Sequence, residues 1–330
     1  MFFSVIVTVF NGDSFLAPCL DSILRNPVGN YELILVDDGS TDNSGKICDY
    51  YAHRYNHVTC IHTRNQGVGN ARQVGLEKSS GAFVLFVDGD DVWDDSFCLR
   101  KLEDVILNKP ADLYVFGFIQ RFVGQKGCRD LIFNIKASLF EDWREDQEHF
   151  LSFFLNGLMF PCWNKIFRRH CVINNRLAFV NQQMEDFRFV LDYLNVTRSV
   201  VFLSKEPYIY IKREKQGLTS SVHQGMLEGY SFCHCYFLSL FNEKYAELIN
   251  QIMAPQYIGT AYKCLNQEDH ILAKSILDSL WRNRLAQMSL MDYQPVSLSD
   301  RLSGYMIRNG LWSMLALYRN LVTAIKRWQR

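Results

Sequence analysis

No stretch of this 330-residue chain is apolar for the length that a membrane-spanning helix requires. The richest candidate, Gly229–Phe241, is short and is interrupted by His234. A charge excess of either sign is also missing, since Lys plus Arg and Asp plus Glu number 35 each. Without a basic field, nucleic acid is not an expected partner. None of the ten cysteines falls in a CxxC pair. Cys233 and Cys235 flank His234, but nothing nearby completes a zinc set, so the cysteines read as free thiols in a reducing compartment. The first strand-like run, Phe3–Phe10, is too short and unflanked for an export signal. Internal repeats and low-complexity tracts are lacking as well. The expectation is a globular cytoplasmic chain, 48% hydrophobic, with enough residues for one large domain or two ordinary ones.

What is present is a regular alternation. Phe3–Phe10 is β-branched and reads as a buried strand, followed by turn chemistry at Asn11-Gly12-Asp13-Ser14. Phe15, Leu16, Leu20, Ile23 and Leu24 then recur at helical spacing. Strands follow at Tyr31–Val36, Val58–His62 and Ala82–Val87. Helices are expected from a cap at Ser40 or Thr41 to Tyr55, from Gly67 to Ser80, and from a cap at Asp94 or Asp95 through Ile106. Strand–helix alternation implies a parallel sheet with right-handed crossovers, whose ligands bind beyond the carboxyl ends of the strands. Asp37 and Asp38 follow the second strand, and Asp88, Asp90 and Asp91 follow the fourth. Acids this close repel one another unless something positive sits among them. Beyond residue 118 the pattern is mixed, with strands expected at Cys128–Ile135, Val200–Leu203 and Tyr208–Ile211. Helices are expected at Gln147–Asn156 and Met184–Leu194. From Val222 onward only helix is expected, with a boundary near Ser221.

Three chemistries compete for these acids. Gly67-Val68-Gly69-Asn70-Ala71-Arg72 opens a helix after a strand, with Asp88 further on, as a dinucleotide fold asks. However, Arg72 stands where helix–strand packing needs a small residue. Asp88-Gly89-Asp90-Asp91-Val92 fits the nucleophile motif of haloacid-dehalogenase-like phosphohydrolases, with Asp88 as nucleophile. That motif belongs on a first strand, and it would leave Asp37 and Asp38 unexplained. The third chemistry is sugar transfer from a nucleotide. SVIVTVFN (Ser4–Asn11), LILVDDGSTDNS (Leu33–Ser44), RNQGVGNARQVGL (Arg64–Leu76) and FVLFVDGDDVW (Phe83–Trp93) occur in order. Together they resemble the successive blocks of family 2 inverting glycosyltransferases of bacterial O-antigen, capsule and exopolysaccharide assembly. The likeness extends more thinly to about residue 215.

The resemblance implies a GT-A fold, an α/β architecture with a mostly parallel sheet flanked by helices. It would span residues 1–221, with a nucleotide-sugar half at 1–118, an acceptor half at 119–221 and a helical C-terminal region at 222–330. It implies a UDP-sugar donor and a Mn²⁺ or Mg²⁺ ion held by Asp90, with Asp88 on ribose or metal and Asp91 open for part of that role. Thr8 and Phe10 border the base, Asp38 accepts the uracil N–H, and Arg72 faces the nucleotide. An inverting transfer needs a general base. Glu185-Asp186 resembles the family's Glu-Asp motif, with Asp186 as base and Glu185 beside it. Alternatively, the pair is an acidic first helical turn. Trp163, in a Trp-Asn-Lys segment, stacks on the acceptor sugar or belongs to the core. Arg213, Ser220 and His223 fall where the family closes a loop over the diphosphate.

Residues 301–330 carry six Lys and Arg and no acid, and Leu311, Leu315, Tyr318, Val322 and Ile325 share one helical face. Such a basic amphipathic helix suits an anionic membrane surface, or packs on the body with its basic face in water. The family's habits imply a lipid-diphosphate-linked acceptor of the undecaprenyl-diphosphate GlcNAc type. They also imply glucose or galactose as the transferred hexose, a β-linkage, and a peripheral place at the cytosolic face of the bacterial inner membrane.

Overall fold

In the computed structural model all residues are described except 28, 125–126, 182, 214–224, 266–269, 294–297, 317 and 319–330. The chain forms two compact units, Met1–Glu214 and Lys215–Arg330. The expected boundary at Ser221 lies outside the described residues.

The first unit is built on β1 (Phe3–Val9), β2 (Tyr31–Asp37), β3 (Val58–His62) and β4 (Phe83–Asp88), parallel in the order β3-β2-β1-β4. Every residue of β1 is buried, which is what a central strand covered on both faces requires. Helices α1 (Asp13–Leu24), α2 (Ser44–Arg54) and α3 (Val68–Lys78) make the crossovers. Two helices start later than their cap chemistry suggested. Ser40 and Thr41 do not cap α2. Ser40 Oγ accepts the Asn11 N–H at 3.0 Å and the Thr41 N–H donates to Asn11 Oδ1 at 2.8 Å, so both bind the β1 loop instead. Asp94 accepts the Ser96 N–H in a turn, and α4 (Leu99–Asn108) begins after Cys98 without a side-chain cap.

Beyond β4 the sheet turns mixed. β5 (Val92–Trp93) lies antiparallel to β10 (Val200–Arg213), which runs parallel to β6 (Leu113–Gly124). β7 (Gly127–Phe133) forms a hairpin with β6, and β8 (Ser138–Phe140) pairs with β10. β9 (Lys165–Arg168) inserts antiparallel between β4 and β6. The two strands expected at Val200–Leu203 and Tyr208–Ile211 are one strand with a register shift between Leu203 and Tyr208. Helices α5 (Gln147–Leu155), α6 (Arg169–Asn174) and α7 (Glu185–Val196) complete the unit. Phe179 and Phe189 stack at 4.1 Å, with Phe86 edge-on at 5.1 Å to Phe179, and this aromatic layer seats α7 behind β4.

The second unit holds α8 (Met226–Leu240), α9 (Ala246–Cys264), α10 (His270–Arg282), α11 (Arg284–Asp292) and α12 (Leu298–Arg308). Among the described residues no helix is long and apolar enough to cross a membrane. Most of the basic face expected to bind one, in 319–330, lies outside the described residues. His234 is no zinc ligand here. It is fully buried, with Nε2 2.9 Å from Asn250 Oδ1 and Nδ1 3.2 Å from the Tyr257 hydroxyl, while Asn250 donates to Asp292 at 2.6 Å. This network ties α8, α9 and α11 together. Burial pushes the His234 pKa down from 6.5 to about 4. The stability this neutral ring contributes is therefore complete above the unfolded value and is lost as pH falls through about 4. In urea titrations between pH 7 and 4, the wild type is expected to lose up to about 3 kcal/mol more than His234→Gln. Equal losses would contradict a buried neutral histidine.

Candidate functional site

The register of the sheet brings the acids together. Thr8 on β1 lies opposite Val36 on one side and Asp88 on the other, and Val9 lies opposite Asp37. The carboxyl ends of β1, β2 and β4 thus finish level. Past them the Asp38 N–H donates to Val9 O at 2.9 Å and the Gly89 N–H to Thr8 O at 3.0 Å. A Cβ on Gly89 would stand 2.9 Å from that Thr8 oxygen, so the turn between Asp88 and Asp90 can lie against β1 only as glycine. Phe10 stands 47% exposed at the rim, whereas Thr8 is 7% exposed.

Asp38 is nearly fully buried. Oδ1 accepts from the Thr63 hydroxyl at 3.1 Å and the Gln66 N–H at 3.0 Å, and Oδ2 accepts the Gly67 N–H at 2.8 Å. A carboxylate offers about four acceptor positions, so this one holds the 63–67 loop and leaves about one position over.

Arg72 is the hub. On α3, with its side chain 4% exposed, it donates Nη2 to Asp88 Oδ1 at 2.7 Å and Nη1 to Glu185 Oε1 at 3.0 Å and to Asp186 Oδ1. Residues 113 and 114 positions apart in sequence are thereby joined to the β4 acid through one guanidinium. Asp186 is further fixed by Cys162, whose N–H meets Oδ2 at 3.3 Å and whose thiol meets Oδ1 at 3.2 Å. The loop carrying Cys162 is held by buried Lys165, which donates to Leu158 O, Pro161 O and Asn164 Oδ1. Burial lowers the Lys165 pKa to about 7.

One cation does not neutralise three carboxylates. Burial first, then Asp186, push the Glu185 pKa up to about 7 against the pull of Arg72. Burial likewise raises the pKa of Asp88, and burial followed by the charge of Asp88 raises that of Asp90. Asp90 has a half-exposed side chain, with Oδ2 3.7 Å from Arg213 Nη1. Arg213 donates both Nη groups to Asp90 O at 3.1 Å and lies 3.7 Å over the Phe15 ring. Two hard oxygen donors with unrelieved repulsion at an accessible rim fit a divalent cation such as Mg²⁺ or Mn²⁺.

Two expectations are corrected. Asp91 points inward, fully buried, with Oδ2 accepting the Tyr208 hydroxyl at 2.8 Å and Oδ1 the Ile211 N–H at 2.7 Å. Turned onto β10, it is not placed as a metal ligand. Trp163 is 7% exposed and stacks on Tyr208 at 4.4 Å and Tyr210 at 5.4 Å, so its faces serve the core rather than an acceptor sugar. Sequence reasoning missed Tyr208, Cys162 and Lys165. Their only signal was the neighbourhood of Trp163 and an apolar strand. Ser220 and His223 lie outside the described residues.

The sequence profile described as Glycosyl transferase family 2 matches residues 4–174. The Bacillus subtilis (strain 168) protein EpsH is 29% identical over 214 residues, 63% of this chain and 60% of EpsH. Glycosyltransferase GlyA of Streptococcus pneumoniae serotype 4 is 32% identical over 235 residues, 66% of this chain and 31% of GlyA. The chain thus spans less than two thirds of both relatives. The Staphylococcus aureus TarS 1–349 structure in complex with UDP-GlcNAc superposes with a TM-score of 0.69 at 19% identity, covering 98% of this chain and 92% of that one, a likeness of fold.

The geometry separates two adjacent acids by role. Asp91→Ala orphans the buried Tyr208 hydroxyl and is expected to cost about 1–3 kcal/mol in urea unfolding. The half-exposed Asp90→Ala should stay within about 0.5 kcal/mol of the wild type. The reverse order would contradict the inward placement of Asp91.

Proposed function

The chain belongs to glycosyl transferase family 2, and from that membership we propose that it is a metal-dependent inverting transferase. Its donor is a UDP-hexose, with glucose or galactose as the sugar. Its acceptor is a lipid-diphosphate-linked, GlcNAc-type glycan of bacterial surface polysaccharide assembly, and the product bond is β. Membership replaces the dinucleotide and phosphohydrolase readings of the same acids. The observation that carries the proposal is the Arg72 fork, which joins the donor-side acid Asp88 to the acid pair Glu185-Asp186. UDP-GlcNAc bound to TarS, a protein of the same fold, supports a uridine nucleotide donor.

In this reading Phe10 and Thr8 border the base, and Asp38 offers it its remaining acceptor position. Asp90 and Asp88 hold the divalent ion, which when bound supplies charge neutralisation to the diphosphate leaving group. Arg213, beside Asp90, adds a second positive group on that side. Asp186, its carboxylate pinned by Arg72 and Cys162, takes the proton of the acceptor hydroxyl as that oxygen attacks the anomeric carbon. Glu185 orients the same guanidinium and keeps Asp186 at a fixed distance from Asp88. Attack opposite the departing diphosphate inverts the anomeric centre, so an α-linked donor yields a β-linkage. The basic residues of 301–330 are proposed to bring the enzyme to an anionic membrane where a lipid-linked acceptor resides.

Calorimetry is expected to show UDP binding that requires Mn²⁺ or Mg²⁺ and disappears in Asp90→Ala. Unchanged, metal-independent affinity in that variant would defeat the metal assignment. Asp186→Asn should keep UDP affinity and lose about 10²–10⁴-fold in sugar transfer, and full turnover in that variant would remove Asp186 as base. For the membrane, flotation with anionic liposomes should fall sharply in a chain cut after Asp300. Undiminished flotation speaks against the tail.

A further inference from the structure

A second cluster of ligating side chains lies on the outer edge of the sheet. His62, at the end of β3, points Nε2 toward Cys60 Sγ at 3.4 Å and toward Asp49 Oδ1 at 3.1 Å. The three ligand atoms lie within 4.8 Å of one another. Tetrahedral Zn²⁺, with bonds of about 2.0–2.3 Å to N, O and S, spaces neighbouring ligand atoms roughly 3.2–3.6 Å apart. The two distances from His62 come close to that spacing. On its other side the His62 ring places Nδ1 2.8 Å from Oδ2 of Asp37, whose side chain is 6% exposed. A buried carboxylate on the far nitrogen is the usual outer partner of a metal-bound histidine. It fixes the tautomer and leaves Nε2 as the ligand. The side chains of His62 and Asp49 are 46% and 62% exposed, so an ion can reach them from solvent.

We propose that Cys60, His62 and Asp49, with solvent completing the set, form a site for zinc or a similar borderline-soft divalent ion. This site is separate from the acids at the ends of β1 and β4. The thiolate, imidazole and carboxylate set selects such an ion over the hard Mg²⁺ or Mn²⁺ that suits Asp88 and Asp90. Its place is structural. Asp49 belongs to α2, Cys60 and His62 to β3, so the ion staples that helix to the edge strand. Asp37, the outer partner, sits next to Asp38, so the staple also stiffens the loop proposed to meet the base. Without the ion, the same position is filled by a proton shared between His62 Nε2 and Asp49.

The test is Co²⁺ titration of the full chain with its thiols reduced, followed by absorbance. One equivalent is expected to produce a thiolate-to-cobalt charge-transfer band and the intense visible bands of tetrahedral cobalt. Zinc should then displace both. Cys60→Ser abolishes the charge-transfer band. Asp37→Asn lowers affinity about 10–100-fold. The exposed Asp49→Asn, which perturbs packing least, also lowers affinity. Asp90→Ala leaves the band intact, because a carboxylate-only site has no thiolate. No charge-transfer band in the wild type, or an undiminished one in Cys60→Ser, overturns the proposal.

Discussion

A single buried guanidinium sets the geometry of the first unit's site. Arg72 has too few charges for its neighbours, and three carboxylates compete for one fork. Desolvating such a group costs several kcal/mol, and that cost is recovered only when the geometry is good and the remaining hydrogen bonds are made. The carboxylates cannot move apart without leaving the charge uncompensated. Asp88 at the end of β4 and Asp186 at the start of α7 therefore keep a fixed spacing, although more than ninety residues separate them. A transfer reaction needs such a spacing, because the leaving group and the entering hydroxyl occupy opposite sides of one carbon.

Burial, and after it the charge of Asp186, has a consequence of its own at Glu185. Glu185 is pushed up to about 7, so the folded protein holds this proton more tightly than the unfolded chain does. Its stabilising contribution is complete below the unfolded value of about 4.5 and disappears as pH rises through about 7. The acids crowded around Arg72 thus give up stability near neutral pH. Asp91 shows the opposite treatment. It is withdrawn from the rim and satisfied by Tyr208 and Ile211, which locks the turn to β10. The adjacent acids Asp37 and Asp38 are both buried but hold different partners: Asp37 meets His62, and Asp38 holds the 63–67 loop.

Much of the parallel half was legible in the chain. β-Branched runs alternating with helical periodicity name their own elements, and right-handed crossovers then place every carboxyl end on one edge. Asp38, Asp88 and Asp90 follow from that rule together with their positions after the strands. Local cap chemistry was less informative. Ser40 and Thr41 are good caps by type, yet the Asn11 loop across the strand gap competes for them and wins. The Asp49, Cys60 and His62 cluster carries no recognisable spacing, because its members come from a helix and a strand brought together by packing.

By itself the sequence determined the alternation, the parallel core and the edge on which acids gather, because these depend on local periodicity and on the handedness of short connections. Only the tertiary structure decided which way each acid faces. Adjacent residues separated by 3.8 Å of backbone are sent to different environments by partners distant in the sequence. Tyr208 takes Asp91 into the interior, Arg72 takes Asp186 onto Asp88, and Tyr208 and Tyr210 take Trp163 out of reach of a ligand. Those pairings depend on the antiparallel register of β5 with β10 and on the seating of α7 against the aromatic layer, neither of which has a local signature.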